Sequence, residues 1–183
     1  HKCYRDNRIQ TLICVIGTWI HRHTGILKKI NFICLTEFNK KKLMLLRQIS
    51  SDEIYVRPNY SEGVISIVPA DERLNQYVYV GRLDKLKGVE ILLQAWSDMG
   101  KNAPVLLVYG KGPLEKWCRE YITTKECNIE LRGYVPNEDI KRIIAKSKAL
   151  ILPSKWYEGF PMTIVEAYSA GTPVIGSNFG NVG

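Results

Sequence analysis

Residues 76–82, Gln76-Tyr77-Val78-Tyr79-Val80-Gly81-Arg82, decide the fold: an aromatic and β-branched run stops abruptly at a glycine and a cation. Four similar runs follow at 105–109 (VLLVY), 129–132 (IELR), 149–152 (ALIL) and 173–176 (PVIG). Their near-continuous Val, Leu and Ile content is that of strands covered on both faces. The intervening stretches, about 88–99, 113–124, 137–147 and 161–170, repeat apolar residues at spacings of 3 and 4: Val89, Leu92, Leu93 and Trp96, then Ile140, Ile143 and Ile144. Strand and helix alternating over short connections predict an α/β domain with a doubly wound parallel sheet. In such sheets ligands sit at the carboxyl ends of the strands, so the loops after the strands are where chemistry is expected.

Upstream the pattern changes. Residues 58–75 (PNYSEGVISIVPADERLN) carry Pro58, Gly63 and Pro69 with little helical period and read as an interdomain linker. Residues 1–57 predict a helix from about Arg5 to His23, a short strand at 31–35 (NFICL), a helix capped by Thr36 with Glu37 in its first turn, and a strand at 54–57 (IYVR). Phe38, Leu43, Leu46 and Ile49 are expected to face a core. Two helices and two strands are too little for a sheet with its own core, so this segment reads as the tail of a larger α/β domain.

With 183 residues, 45% hydrophobic and 24% charged, the chain is globular rather than disordered. It is too short for two complete α/β domains of about 150 residues each. Net charge is +8, and residues 1–57 hold 11 Lys/Arg against 4 Asp/Glu. That excess suits an anionic membrane surface or nucleic acid, and equally a solvated helix face. Nucleic acid is disfavoured because no reading motif or aromatic interleaving accompanies the charge. The apolar face of Ile9, Leu12, Ile16 and Ile20 beside Arg22, Lys28 and Lys29 suits peripheral membrane contact, or packing within the rest of its domain. The five cysteines (Cys3, Cys14, Cys34, Cys118, Cys127) form no CxxC or metal-site spacing and fit reduced thiols in a cytoplasmic protein. No signal peptide is visible, and the longest apolar run, about Thr11 to Ile20, is shorter than the roughly 20 residues a bilayer needs. The lack of an initial Met and the ending at Gly183 within a motif-like stretch read as cut edges.

Four strand ends carry candidate chemistry. After the first, Gly81-Arg82-Leu83-Asp84-Lys85-Leu86-Lys87-Gly88 sets Arg82 and Lys87 before a helix start, where two cations suit a diphosphate. After the second, Tyr109-Gly110-Lys111-Gly112-Pro113 permits close backbone approach to a ligand, with Pro113 in the first turn of the next helix. After the third, Arg132-Gly133-Tyr134-Val135-Pro136-Asn137 offers backbone to a nucleobase, and Asn137 is expected to cap a helix starting at Glu138. After the fourth comes the most informative stretch, Pro153 to Glu166 (PSKWYEGFPMTIVE), with Glu158 and Glu166 eight residues apart. Pro161 is expected at the first helical position, leaving backbone amides near Phe160 to Thr163 to face an anion. Glu166, on a helix that otherwise reads as buried, accepts hydrogen bonds only, and ribose hydroxyls would supply donors. Taken singly, Glu166 reads rather as a structural carboxylate paired with a cation, Glu158 as a solvated loop acid, and Arg82 and Lys87 as surface charges. Their convergence on neighbouring strand ends favours a site.

The ordered set Gly81-Arg82-Leu83 to Lys87-Gly88, Gly110-Lys111-Gly112-Pro113, Gly133-Tyr134-Val135, and Glu158 to Glu166 with its EGFP start resembles glycosyltransferase family 4 over about residues 76–183. HKCYR at the start, CLTEFNKKKL and IYVRPN resemble the end of that family's acceptor domain and its linker. The resemblance implies retaining enzymes of the GT-B fold, with two Rossmann-like domains. Residues 1–57 would be the end of the N-terminal acceptor domain, 58–75 the linker, and 76–183 a truncated nucleotide-sugar donor domain. Arg82 and Lys87 would bind the diphosphate and Glu158 the donor-sugar hydroxyls, these three forming the catalytic set. Glu166 would bind the ribose, and Gly133, Tyr134 and Val135 the base. Gly81 and Gly110 would belong to the donor-binding set, and the backbone amides of Phe160, Met162 and Thr163 would face the sugar-phosphate. No metal and no cofactor beyond a UDP-, GDP- or ADP-sugar is implied. The expected reaction is hexosyl transfer by front-face attack onto a glycan or lipid-linked acceptor in cell-surface polysaccharide synthesis, in the cytoplasm or at the inner face of the plasma membrane. The acceptor-domain histidine of the family has no match in His1, His21 or His23, so the chain by itself is expected to bind donor rather than turn it over. A non-catalytic nucleotide-sugar-binding module is the alternative. A dinucleotide oxidoreductase is excluded, since no G-x-G-x-x-G follows the first strand.

Overall fold

The computed structural model describes residues 7–46, 49–61 and 67–182. The expected helix start at Arg5, the 1–5 motif with Cys3, the linker's Gly63 and the terminal Gly183 lie outside the described residues. The chain divides into two compact units, His1–Pro58 and Asn59–Gly183.

In the first unit, helix α1 (Arg8–His23) starts at Asn7, whose side-chain oxygen accepts from the backbone N–H groups of Ile9 and Gln10. Strand β1 (Phe32–Cys34) pairs in parallel with β2 (Ile54–Val56). Between them lies α2 (Glu37–Met44), where the Thr36 hydroxyl accepts from Asn39 N–H at 3.1 Å. The core of this unit is Cys34, Ile49 and Ile54, with Leu43 and Leu46 packed against it. Phe38 departs from expectation. It is half-buried outside this cluster, with the Lys42 ammonium 5.3 Å over its ring. No residue of α1 is buried, so Ile9, Leu12, Ile16 and Ile20 are exposed. Among the described residues no helix is long and apolar enough to cross a membrane.

The second unit is the alternating α/β domain. Its strands are β3 (Leu74–Val80), β4 (Val105–Tyr109), β5 (Ile129–Gly133), β6 (Ser147–Leu152) and β7 (Val174–Gly176). The connecting helices are α3 (Val89–Asp98), α4 (Glu115–Thr124), α5 (Asn137–Lys146) and α6 (Met162–Ser169). All strand pairs are parallel, in the order β5-β4-β3-β6-β7.

Two-residue periodicity splits the core into two layers. Tyr79, Leu106, Val108 and Ile151 face α3 and α4 through Leu92, Leu93, Trp96 and Cys118. Val78, Leu107, Tyr109 and Leu150, one position out of phase, face α5 and α6 through Ile140, Ile144 and Ala167. Each fully buried aliphatic side chain contributes about 1.5–3 kcal/mol, so both faces of the sheet hold the fold together.

The strand order locates the site. From β3 the chain builds β4 and β5 to one side, then returns past β3 to build β6 and β7 on the other. The loops after β3 and β6 are thereby neighbours on either side of a switch in strand order, where such sheets open a crevice. Backbone bonds extend the ladder beyond the strands: Gly81 N–H donates to Tyr109 O at 3.1 Å, Leu83 N–H to Lys111 O at 3.0 Å, and Gly110 N–H to Gly133 O at 2.7 Å.

Candidate functional site

The loop after β3 is shaped by its own residues. Asp84 accepts from Lys87 N–H at 3.0 Å and so starts a single 3-10 turn, Lys85–Lys87. Gly88 then ends the turn in the left-handed region, at φ 73°. A Cβ there would overlap the Pro153 carbonyl oxygen, so glycine lets the loops after β3 and β6 touch. The Tyr79 hydroxyl donates to Arg82 O at 2.9 Å and holds the loop from beneath, and burial pushes this phenol well above its usual pKa.

Lys87 and Glu158, 71 residues apart, meet across the crevice. The Lys87 ammonium lies 2.7 and 2.9 Å from the two Glu158 oxygens. Ser154 Oγ donates to Glu158 Oε1 at 2.5 Å. Glu158 is 8% exposed, which removes the reading of it as a solvated loop acid. Asn181 Nδ2 donates to the carbonyls of Glu158 and Gly159 at 2.6 and 2.9 Å, and Asn59 Nδ2 to Phe160 O at 2.9 Å, so the 158–160 turn is fastened from two sides. Arg82 is more open: its Nε pairs with Asp84 at 3.1 Å and its side chain is 66% exposed.

Two cavities lie along this edge and share Val80, Gly81 and Arg82. The first, about 420 Å³, is also lined by Gly110, Lys111, Tyr134, Val135 and Asn137. The second, about 340 Å³, is also lined by Lys87, Ser154, Glu158, Met162 and Thr163. Both volumes fall in the range of small-molecule sites. Lys111 places its ammonium 6.0 Å over the ring of Tyr134 at the rim of the first. Among the described residues no three His, Cys, Asp or Glu side chains converge to hold a metal ion.

Of the residues singled out in the sequence, Gly81, Arg82, Lys87, Gly110, Tyr134, Val135, Glu158, Met162 and Thr163 line one or both cavities. Gly133, Phe160 and Glu166 do not. Gly133 acts through its backbone, accepting from Gly110, and Phe160 through the carbonyl bound by Asn59. Glu166 is 3% exposed within α6, and its carboxylate accepts from Asn137 Nδ2 at 3.0 Å. Its partner is therefore an amide, not the cation that a structural ion pair would need.

Two helix starts differ from expectation. Asn137 is the first residue of α5 and caps nothing, because Pro136 occupies the cap position and the Asn137 amide is turned to Glu166. Pro161, with ψ 125°, is extended and precedes α6, which begins at Met162. Sequence reasoning missed Ser154, Asn59, Asn181 and Tyr79. A serine four residues before a glutamate within one loop is a local signal that could have found Ser154. The others depend on tertiary placement.

The family model "Glycosyl transferases group 1" matches residues 61–183. The lipopolysaccharide 1,6-galactosyltransferase of Escherichia coli K12 is 32% identical over 179 residues, covering 89% of this chain and 49% of that protein. The O-antigen chain mannosyltransferase B of Escherichia coli is 34% identical over 107 residues, covering 55% of this chain and 28% of that protein. The chain thus spans about half or less of the length of these curated relatives. Among solved structures, the pneumococcal O-GlcNAc transferase GtfA, in complex with UDP and GlcNAc, superposes with a TM-score of 0.69 at 21% identity, over 90% of this chain and 34% of that one. That likeness shows the GT-B fold. The matched model covers the whole strand-and-helix alternation and every residue of both cavities, and the chain belongs to the group 1 glycosyltransferases.

Proposed function

We propose that this chain carries the donor half of a retaining, family 4 glycosyltransferase that moves a hexosyl group from a nucleoside-diphosphate sugar to a glycan or lipid-linked acceptor in cell-surface polysaccharide synthesis. The observation that carries the reading is the Lys87–Glu158 pair at the switch in strand order, beside the exposed cation of Arg82. A diphosphate needs cations and a sugar needs an acceptor-only carboxylate, and the two are joined here in one cavity. The similar galactosyl- and mannosyltransferases, and the UDP in the GtfA complex, support the same substrate class.

In this reading the base occupies the first cavity against Tyr134 and Val135, with Gly133 shaping the loop. The ribose lies towards Glu166 and the diphosphate between Arg82, Lys87 and the amides of Met162 and Thr163. Glu158 holds the sugar hydroxyls. Arg82 and Lys87 supply the positive charge for the departing diphosphate, so no metal is required. The bond from the sugar's anomeric carbon to the phosphate oxygen breaks, the acceptor oxygen bonds to the same face of that carbon, and the acceptor proton passes to the leaving phosphate. Residues 1–57 are assigned to the end of the acceptor domain and the expected linker is shortened to 58–73, since β3 already starts at Leu74, placing acceptor choice largely in the first domain.

The setting proposed is the cytoplasm, with peripheral contact at the inner face of the plasma membrane through the exposed Ile9, Leu12, Ile16 and Ile20 of α1. Absence of binding to anionic liposomes would end that part of the proposal. For the donor site, radiolabelled UDP-, GDP- and ADP-hexoses tested by equilibrium dialysis should show retention of one. Loss of that retention in Arg82→Ala is expected, and equal retention in wild type and variant would overturn the assignment.

A further inference from the structure

We infer that Asn137 is a positioning residue that sets the orientation of Glu166 and thereby makes the nucleotide site selective for ribose hydroxyls. The inference rests on the nucleotide reading above and adds a residue to it.

Asn137 stands one residue past the cap position of α5, which Pro136 occupies, and its side chain makes no capping bond. Its amide reaches instead to the neighbouring helix, donating to Glu166 Oε1 at 3.0 Å across 29 residues of sequence. No second donor among the described residues reaches this carboxylate. Glu166 is 3% exposed, so a single neutral amide holds a buried acceptor-only group. That leaves Oε2 without a donor among the described residues. Asn137 itself lines the first cavity, while the second reaches α6 at Met162 and Thr163, one turn before Glu166. The Asn137–Glu166 bond therefore joins the elements bordering the two cavities, where a sugar linking a base to a diphosphate would lie.

The chemistry that fits is a vicinal diol. A carboxylate with one oxygen pinned by an amide turns the other in a fixed direction, and a hydroxyl donating to it completes the set. Without Asn137 the carboxylate is free to rotate about its last torsion, and the direction of the ribose contact is lost. Because the Asn137 amide is turned to Glu166, the contacts to base and diphosphate are expected to be retained.

The experiment is calorimetric titration of this chain with UDP, GDP and ADP and with their 2′,3′-dideoxy counterparts. Wild type is expected to prefer the ribonucleotide of its best base about tenfold or more over the dideoxy form, the worth of one hydrogen bond to a charged group. Asn137→Ala should bring that preference below about threefold, with the dideoxy affinity little changed, and Asn137→Gln, which keeps the amide, should restore part of it. Thermal melting identifies variants that do not fold, and Asn137→Ser provides the same test if the alanine variant fails. Equal weakening of both nucleotide forms would mean a structural role and overturn the inference, as would an unaltered preference in the alanine variant or no preference in wild type. Failure of folded wild type to bind any of the nucleotides would instead refute the nucleotide reading itself.

Discussion

Removing either member of the Lys87–Glu158 pair should have unequal consequences, and the inequality follows from burial. At 2.7 Å the gross attraction is about 6 kcal/mol at an effective dielectric of ~20, most of it offset by desolvation. The Glu158 side chain is 9% exposed and the Lys87 side chain 32%. Lys87→Met strands a buried carboxylate to which, among the described residues, only the Ser154 side chain still donates. A fully buried break costs about 3–5 kcal/mol, and the partial exposure of the lysine discounts this to about 2 kcal/mol. Glu158→Gln leaves an ammonium that turns to water, and the amide oxygen still accepts from Ser154, so about 1 kcal/mol is expected. The double variant should recover about 1 kcal/mol of the summed losses. Urea unfolding of the four proteins measures these terms. Binding should divide the other way: freed of its carboxylate, Lys87 in Glu158→Gln holds a nucleoside diphosphate several-fold more tightly, while Lys87→Met loses at least about tenfold. The reasoning fails if Glu158→Gln is the more destabilising change, or if it weakens diphosphate binding as Lys87→Met does.

Glu166→Ala should weaken nucleotide binding by about 1.5–3 kcal/mol for each ribose hydrogen bond lost, and unchanged affinity in a titration would remove Glu166 from the site. Gly110 has φ 137° and a Cβ there would overlap the Gly81 carbonyl oxygen, so Gly110→Ala should cost about 3 kcal/mol in urea unfolding; a cost under about 0.5 kcal/mol would contradict the close approach. Cys118 is buried in the α3–α4 layer and burial pushes its thiol up to about 11 from 9.0. A thiol reagent at pH 8 should therefore label exposed Cys14 in the native chain and spare Cys118. Because the folded pKa is the higher one, this thiol's stabilising term is whole below pH 9 and fades as pH rises towards 11, which a pH series of urea midpoints on Cys118→Ala against wild type would register.

The sheet was legible because its signal is local. Apolar runs of four to seven residues ending at Gly, Arg or Pro mark strands, and their recurrence between helical stretches forces the alternation. The two-layer core follows from the same residues, since Val78 and Tyr79 must face opposite sides. The convergence of Arg82, Lys87 and Glu158 on adjacent strand ends was legible from the motifs, but the contact between Lys87 and Glu158 depends on strand order. Composition cannot give that order, which places β6 rather than β5 next to β3. Asn137 shows where local reasoning runs out. Its residue type favours a cap, but Pro136 holds the cap position and the Asn137 amide donates instead to a tertiary acceptor, Glu166. Phe38 is a smaller case: it stays half-buried, with the Lys42 ammonium over its ring. The fastening of the 158–160 turn by Asn59 and Asn181 is likewise tertiary and has no sequence signature.

The most direct test of the account is calorimetric titration of the wild-type chain with UDP, GDP, ADP and their hexose conjugates, alongside a circular dichroism spectrum. The expected result is a folded chain that binds one nucleotide family selectively, with binding lost in Lys87→Met. A chain that is folded by circular dichroism and binds none of them would contradict the claim that these strand ends form a nucleotide-sugar site.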